Sequence, residues 1–227
     1  MISRRLSRRL LSHHIPIAAI TIGSGAMLYV TRSYPDVLTR LSFSSAYPAL
    51  ILIAATLLIG PIKLIAGERL AVSMDLRRDI GIWAGIAGLF HTVVGQCVHL
   101  RGRPWLYYIY ENWQEKHIQP FRHDAFGLAN FTGLAAALLL LALLATSNDA
   151  SLRKLGTPGW KQLQRWNYAI FGLTAIHTFT YQVAIEKPQP VFVTTAAAAI
   201  AISLVFQWIG FRRRGASQRA GLFQSKR

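Results

Sequence analysis

Two histidines lie deep inside long apolar stretches of this chain. His91 sits in IGIWAGIAGLFHTVVGQCVHL (Ile80 to Leu100), and His177 in WKQLQRWNYAIFGLTAIHTFTYQ (Trp160 to Gln182). An ionisable or metal-ligating side chain at membrane depth is costly to place, so each is a functional-site candidate by default. Neutral imidazole suits iron, and two imidazoles facing each other across a helix bundle can supply both axial bonds to an iron porphyrin. The chemistry these residues support is therefore bis-histidine ligation of a b-type haem. No pair of buried carboxylates, nucleophile motif or glycine-rich phosphate loop accompanies them, so no bond chemistry on a substrate is expected. The single cysteine, Cys97, excludes an internal disulfide and a cysteine-ligated cluster within the chain.

Two residues of this kind must be positioned by helices that cross a bilayer. The 227 residues are 52% hydrophobic with only nine Asp and Glu, a polytopic membrane composition. About 20 apolar residues span a membrane, and six segments meet that length: roughly 15–31, 46–66, 80–100, 125–146, 160–183 and 190–211. The expected fold class is all-α, an integral membrane bundle of six transmembrane helices over 15–211, between basic tails 1–14 and 212–227. The N-terminus has the charged region of a signal peptide, but the apolar run continues to Val30 without a small-residue cleavage site, so a retained first span is expected. In a six-span chain eighteen Lys and Arg fall on the side of the two tails and seven on the other. The positive-inside rule then places both termini in the cytoplasm. The net charge of +16 flanks apolar segments instead of forming a groove interleaved with aromatics, so lipid is an expected partner and nucleic acid is not.

On this topology spans three and five both run outward. His91 lies 13 residues past Arg78, about 20 Å at 1.5 Å per residue, and His177 lies 16 past Lys161, about 24 Å. Thr157 and Pro158 read as the N-cap and first position of span five. Both histidines therefore reach the outer half at similar depth, as two ligands of one metal must. On the face of His91 lie Gly81, Ala84, Gly88 and Gly95, which leave room for a flat macrocycle and equally suit close helix packing. Thr174 and Tyr181 flank His177 and are placed to hydrogen-bond a propionate, an imidazole or the backbone. The connection RGRPWLYYIYENWQEKHIQPFRHD (Arg101 to Asp124) reads as an interfacial segment with aromatics at headgroup level, or as the docking face of an external partner. His13 and His14 are expected at the cytoplasmic edge, and His99, His117 and His123 at or beyond the outer surface, solvated or interfacial, with an external metal site as the alternative. His99 is about 80° around the helix from His91, a poor substitute for it.

Four stretches carry a resemblance. They are the second span with Gly60-Pro61 and its basic end, RRDIGIWAGIAGLFH (Arg77 to His91), LRKLGTPGWKQLQRWNY (Leu152 to Tyr168) and TAIHTF (Thr174 to Phe179). In this order and spacing, over about residues 45–185, they resemble the ferric-reductase-like transmembrane family, and within it the haem-binding membrane subunit of the bacterial methionine-sulfoxide reductase system. The family pattern is two stacked haems, each held by one histidine from span three and one from span five. The resemblance makes His91 and His177 the outer pair. The inner positions hold Gln164 and Arg78 or Arg77, so both inner ligands are absent together and one haem b is expected. A flavin such as FMN, or a quinone, is then the candidate inner carrier, near Arg77, Arg78, Gln164 and Arg165; ordinary positive-inside anchoring also explains those arginines. The function implied is electron transfer through haem b from a cytoplasmic reductase or quinol to an external redox partner protein, a periplasmic reductase by resemblance. The alternatives are direct ferric reduction at the outer surface and a haem-free scaffold or transporter.

Overall fold

The computed structural model describes residues 4–34, 36–66, 73–186 and 189–224. Of the basic residues counted above, Arg69, Lys187, Lys226 and Arg227 lie outside them. Eight α-helices follow in order: α1 (Arg4–Arg9), α2 (Ile15–Thr31), α3 (Val37–Ala66), α4 (Met74–Gly95), α5 (Ala125–Ala145), α6 (Asp149–Gln164), α7 (Asn167–Phe179) and α8 (Pro190–Gln224). A π-helical turn, Leu10–His14, joins α1 to α2, and a second, Thr180–Ile185, continues α7.

The helix starts are written in short polar side chains. Asp36, Ser73, Asp124 and Asn148 each accept a backbone N–H three residues on, from Thr39, Leu76, Gly127 and Ser151, at 2.7 to 3.0 Å. Such caps satisfy donors that the helix cannot satisfy internally. Helix α3 is the hub, packed on α2, α4, α7 and α8, while α5 packs on α4 and α7. The shared core is Ile53, Ala54, Leu57, Ala84, Leu140, Leu143, Ile170 and Phe171. Small residues let the helices approach: a Cβ at Gly88 would come within 2.8 Å of Leu140 Cδ1. Two prolines, Pro48 and Pro61, lie within α3, a position that neighbouring helices make tolerable at membrane depth.

Four helices are long and apolar enough to cross a membrane by length and composition: 7–31, 37–66, 125–145 and 190–213. The segments expected as spans three and five are not among them. Helix α4 opens with Asp75, Arg77, Arg78 and Asp79, which lower its mean hydropathy. The expected span 160–183 is broken: α6 ends at Gln164, and α7 begins at Asn167. Helix α6 has no buried residue and bends at Gly156, whose φ of +67° suits a residue without a Cβ. His177 is therefore ten residues into its own helix, about 15 Å, and not sixteen beyond Lys161 on a continuous one.

The connection from α4 to α5 folds over the bundle end. Ile109 and Phe121 form an antiparallel bridge, and Tyr107, 1% exposed, donates its hydroxyl to the Gly95 carbonyl at the end of α4. Trp105, Trp113 and Phe121 remain exposed. At the opposite end Asp79 is fully buried. It pairs with Arg9, accepts from His13 Nδ1 at 2.8 Å and lies 3.3 Å from His14 Nε2. Trp83 Nε1 donates to His14 Nδ1 at 3.3 Å. His13 and His14 are thus partners in a buried ionic cluster and not merely solvated at an edge.

Candidate functional site

His91 on α4 and His177 on α7 face each other, with ring centroids 6.1 Å apart and ring planes at 76°. Each ring is held by a backbone carbonyl. His91 Nδ1 is 2.9 Å from the Ser42 carbonyl on α3, and His177 Nδ1 is 2.8 Å from the Ala129 carbonyl on α5. A carbonyl only accepts, so both Nδ1 atoms carry the proton and both Nε2 atoms keep a lone pair. This arrangement, in which the second nitrogen fixes tautomer and ring orientation, is that of a metal-ligating histidine. Imidazole nitrogens about 2 Å from a shared metal ion place their ring centres about 6 Å apart, in agreement with the observed separation.

The space around the rings is made by residues without bulk. A Cβ at Gly133 of α5 would meet His177 Nδ1 at 2.6 Å, so only glycine lets that imidazole lie against the α5 backbone. Gly88, Gly95, Ala46, Ala49 and Ala136 line the same cavity of about 180 Å³. Of the face expected around His91, Gly88 and Gly95 border this cavity, whereas Ala84 is in the core and Gly81 faces Thr56. Thr174 and Tyr181 also line it; the Tyr181 hydroxyl donates to Asn130 Oδ1 at 3.0 Å, and its ring lies 5.0 Å from that of His177. A pair of neutral imidazole lone pairs in an apolar chamber bounded by small residues fits an iron porphyrin.

His99 reaches the same cavity. Helix α4 ends at Gly95, so the helical-wheel angle that set His99 apart from His91 does not apply to it. Sequence reasoning also missed Gly133, whose only signal is a glycine inside a helix of Ala and Leu. The candidate inner residues are placed differently. Arg78 donates to the Ser147 carbonyl at 3.0 Å and pairs with Asp149 at 2.5 Å, tying α4 to the start of α6. Arg77 is also engaged, Arg165 is exposed, and Gln164 has a buried amide nitrogen without a partner. None of the four lines the histidine cavity.

Outside the membrane-crossing segments two acids near the bundle end covered by the α4–α5 connection depart from their ordinary ranges. The Thr39 N–H and hydroxyl hold Asp36 below the usual carboxylate range, and burial raises Glu186.

Comparison with known proteins adds a further set of observations. A protein-methionine-sulfoxide reductase heme-binding subunit, MsrQ, of Bordetella pertussis is 31% identical over 188 residues, covering 81% of this chain and 79% of that protein. The subunit of the same name in Pectobacterium carotovorum is 29% identical over 166 residues, covering 73% of each. Magnetosome protein MamZ of Magnetospirillum gryphiswaldense is 36% identical over 78 residues, 34% of this chain but only 12% of that protein. No family model and no solved structure matches.

Proposed function

Because the chain belongs to the MsrQ family, the haem-binding subunits of protein-methionine-sulfoxide reductases, we propose that it is a membrane electron-transfer subunit. It passes electrons through haem b to a methionine-sulfoxide-reducing partner on the outer face of the bacterial inner membrane. The observation that carries this reading is the histidine pair, 6.1 Å apart, with both Nδ1 atoms committed to carbonyls. Bound haem supplies one-electron iron chemistry that no side chain here offers. His91 and His177 would hold the iron, Gly133 admits one ring, and Leu50, Ile53 and Leu140 line the apolar end of the cavity and exclude water there.

Six passes with both termini cytoplasmic accompany this reading. Its support is that helix ends fall into two groups. Arg9 meets Asp79, Arg78 meets Asp149 and Arg213 meets the Ile65 carbonyl at one end; Arg32 meets Gln189 at the other. Lateral packing in the bundle lets α4 and α7 cross despite their polar or short sequences. Electrons enter from a cytoplasmic reductase or from quinol. A flavin such as FMN, or a quinone, near Arg77, Arg78, Gln164 and Arg165 is a second element of the proposal, favoured by the unpartnered Gln164 amide.

The test is the dithionite-reduced minus oxidised spectrum of the detergent-purified protein with haem quantified. A b-type spectrum at about one haem per chain is expected, lost in His91→Ala and in His177→Ala. A wild-type protein with no Soret band after haem-replete expression would overturn the reading in favour of a scaffold or transporter.

A further inference from the structure

The cavity that holds His91 and His177 has two chemically different ends. Its inner part is apolar, with Leu50, Ile53, Ala137 and Leu140; its outer mouth carries Thr39, Gln96, His99, Gln182 and Glu186. The mouth's other donors are largely committed. Gln96 Nε2 donates to the Tyr108 hydroxyl at 2.8 Å, Gln182 Nε2 to the Tyr47 hydroxyl at 2.5 Å, and the Thr39 hydroxyl to Asp36 at 2.7 Å. His99 differs from them. Its ring is braced by Tyr107 and Phe126, at centroid distances of 6.2 and 5.8 Å, and its backbone N–H donates to the Tyr107 hydroxyl at 2.7 Å. Among the described residues its ring nitrogens make no hydrogen bond, and no carboxylate forms an ion pair with it. Asp36 and Glu186 lie near it, yet neither pairs with it.

An iron porphyrin of the b type carries two carboxylates on one edge. Ionised groups are costly in hydrocarbon, so that edge belongs at the polar mouth and requires donors there. We propose that His99 is an anion-binding residue of the cavity, donating to a porphyrin carboxylate at the outer mouth while His91 and His177 hold the iron. The assignment rests on the haem reading above. It gives the macrocycle a single orientation, carboxylate edge outward, and gives the one braced imidazole without a protein partner its role.

The probes are haem and haem dimethyl ester, which lacks the two charges, titrated into haem-depleted full-length protein and read by the Soret band. The proteins are wild type, His99→Phe and His99→Ala. His99→Phe keeps a ring on Tyr107 and Phe126 and removes the N–H. Wild type is expected to bind haem more tightly than the ester by about tenfold or more, the scale of a charge-assisted hydrogen bond. Both variants should lose most of that preference while keeping wild-type affinity for the ester. A preference undiminished in His99→Phe, or haem and ester affinities that fall equally, would overturn the proposal and leave the iron site standing. Failure of the wild type to bind either probe would instead sink the haem reading.

Discussion

A methyl group at position 133 would lie 2.6 Å from His177 Nδ1 and 2.9 Å from its Cε1, too close for the ring to stay where it is. Gly133→Ala is therefore expected to push His177 off the Ala129 carbonyl and to lower haem retention through purification, at a packing cost of about 1–3 kcal/mol. Gly172→Ala, where nothing lies within 4 Å of a new Cβ, should leave haem content unchanged. Equal haem per chain in the two variants, with helical circular dichroism preserved, would contradict the geometry. That His91 and His177 are histidines inside apolar stretches was legible; that their rings face each other was not, because the sequence leaves open which way each helix face turns. Gly133 was not, since its partner is 44 residues away in sequence and the helix around it reads as ordinary Ala and Leu. His99 was misjudged because the apolar run continues to Leu100, while the helix stops at Gly95 where Tyr107 takes the carbonyl.

At the scale of the elements, the N-terminal helix is tied to α4 by one buried acid. Successive residues on an α-helix point about 100° apart, yet His13 and His14 both reach Asp79, with the π-helical turn Leu10–His14 altering the spacing. Removing the acid leaves Arg9, 14% exposed, without its partner, and breaking a buried pair from one side is far costlier than never having made it. Asp79→Ala is expected to lower the melting temperature by several degrees, at about 2–4 °C per kcal/mol for a chain of this size. The haem spectrum should not change, because His91 is 12 residues further along α4, about 18 Å away. A melting temperature equal to wild type would mean that the cluster is incidental. Nothing in the sequence marked this tie: His13 and His14 stand beside arginines at a helix start, and Asp79 stands between Arg78 and an apolar run. The break at Arg165 and Trp166 was equally hidden, because neither proline nor glycine lies between Trp160 and Ile170 to mark it.

For the whole molecule, the native Cys97 is exposed beyond the end of α4 and offers a direct reading of orientation. A membrane-impermeant maleimide should label Cys97 in cells with a permeabilised outer membrane and an intact inner one. Ser151→Cys on α6, in a Cys97→Ser background, should be labelled only after lysis. The reverse pattern would invert the bundle and with it the face that meets the redox partner. The four clearly apolar helices were legible from hydropathy; α4 and α7 owe their place to packing on α3 and α5, a property of the assembled bundle and not of either segment. The route the chain takes also sets a clock. His177 follows His91 by 86 residues, and at about 5–20 residues per second a ribosome needs about 4–17 s to travel between them. Whatever the two imidazoles grip in common can be captured only once the second has emerged and α5 has offered it the Ala129 carbonyl. Loading of the site is thus a late event in the birth of the chain, and a cell that stalls synthesis before α7 makes a membrane protein with half a ligand set.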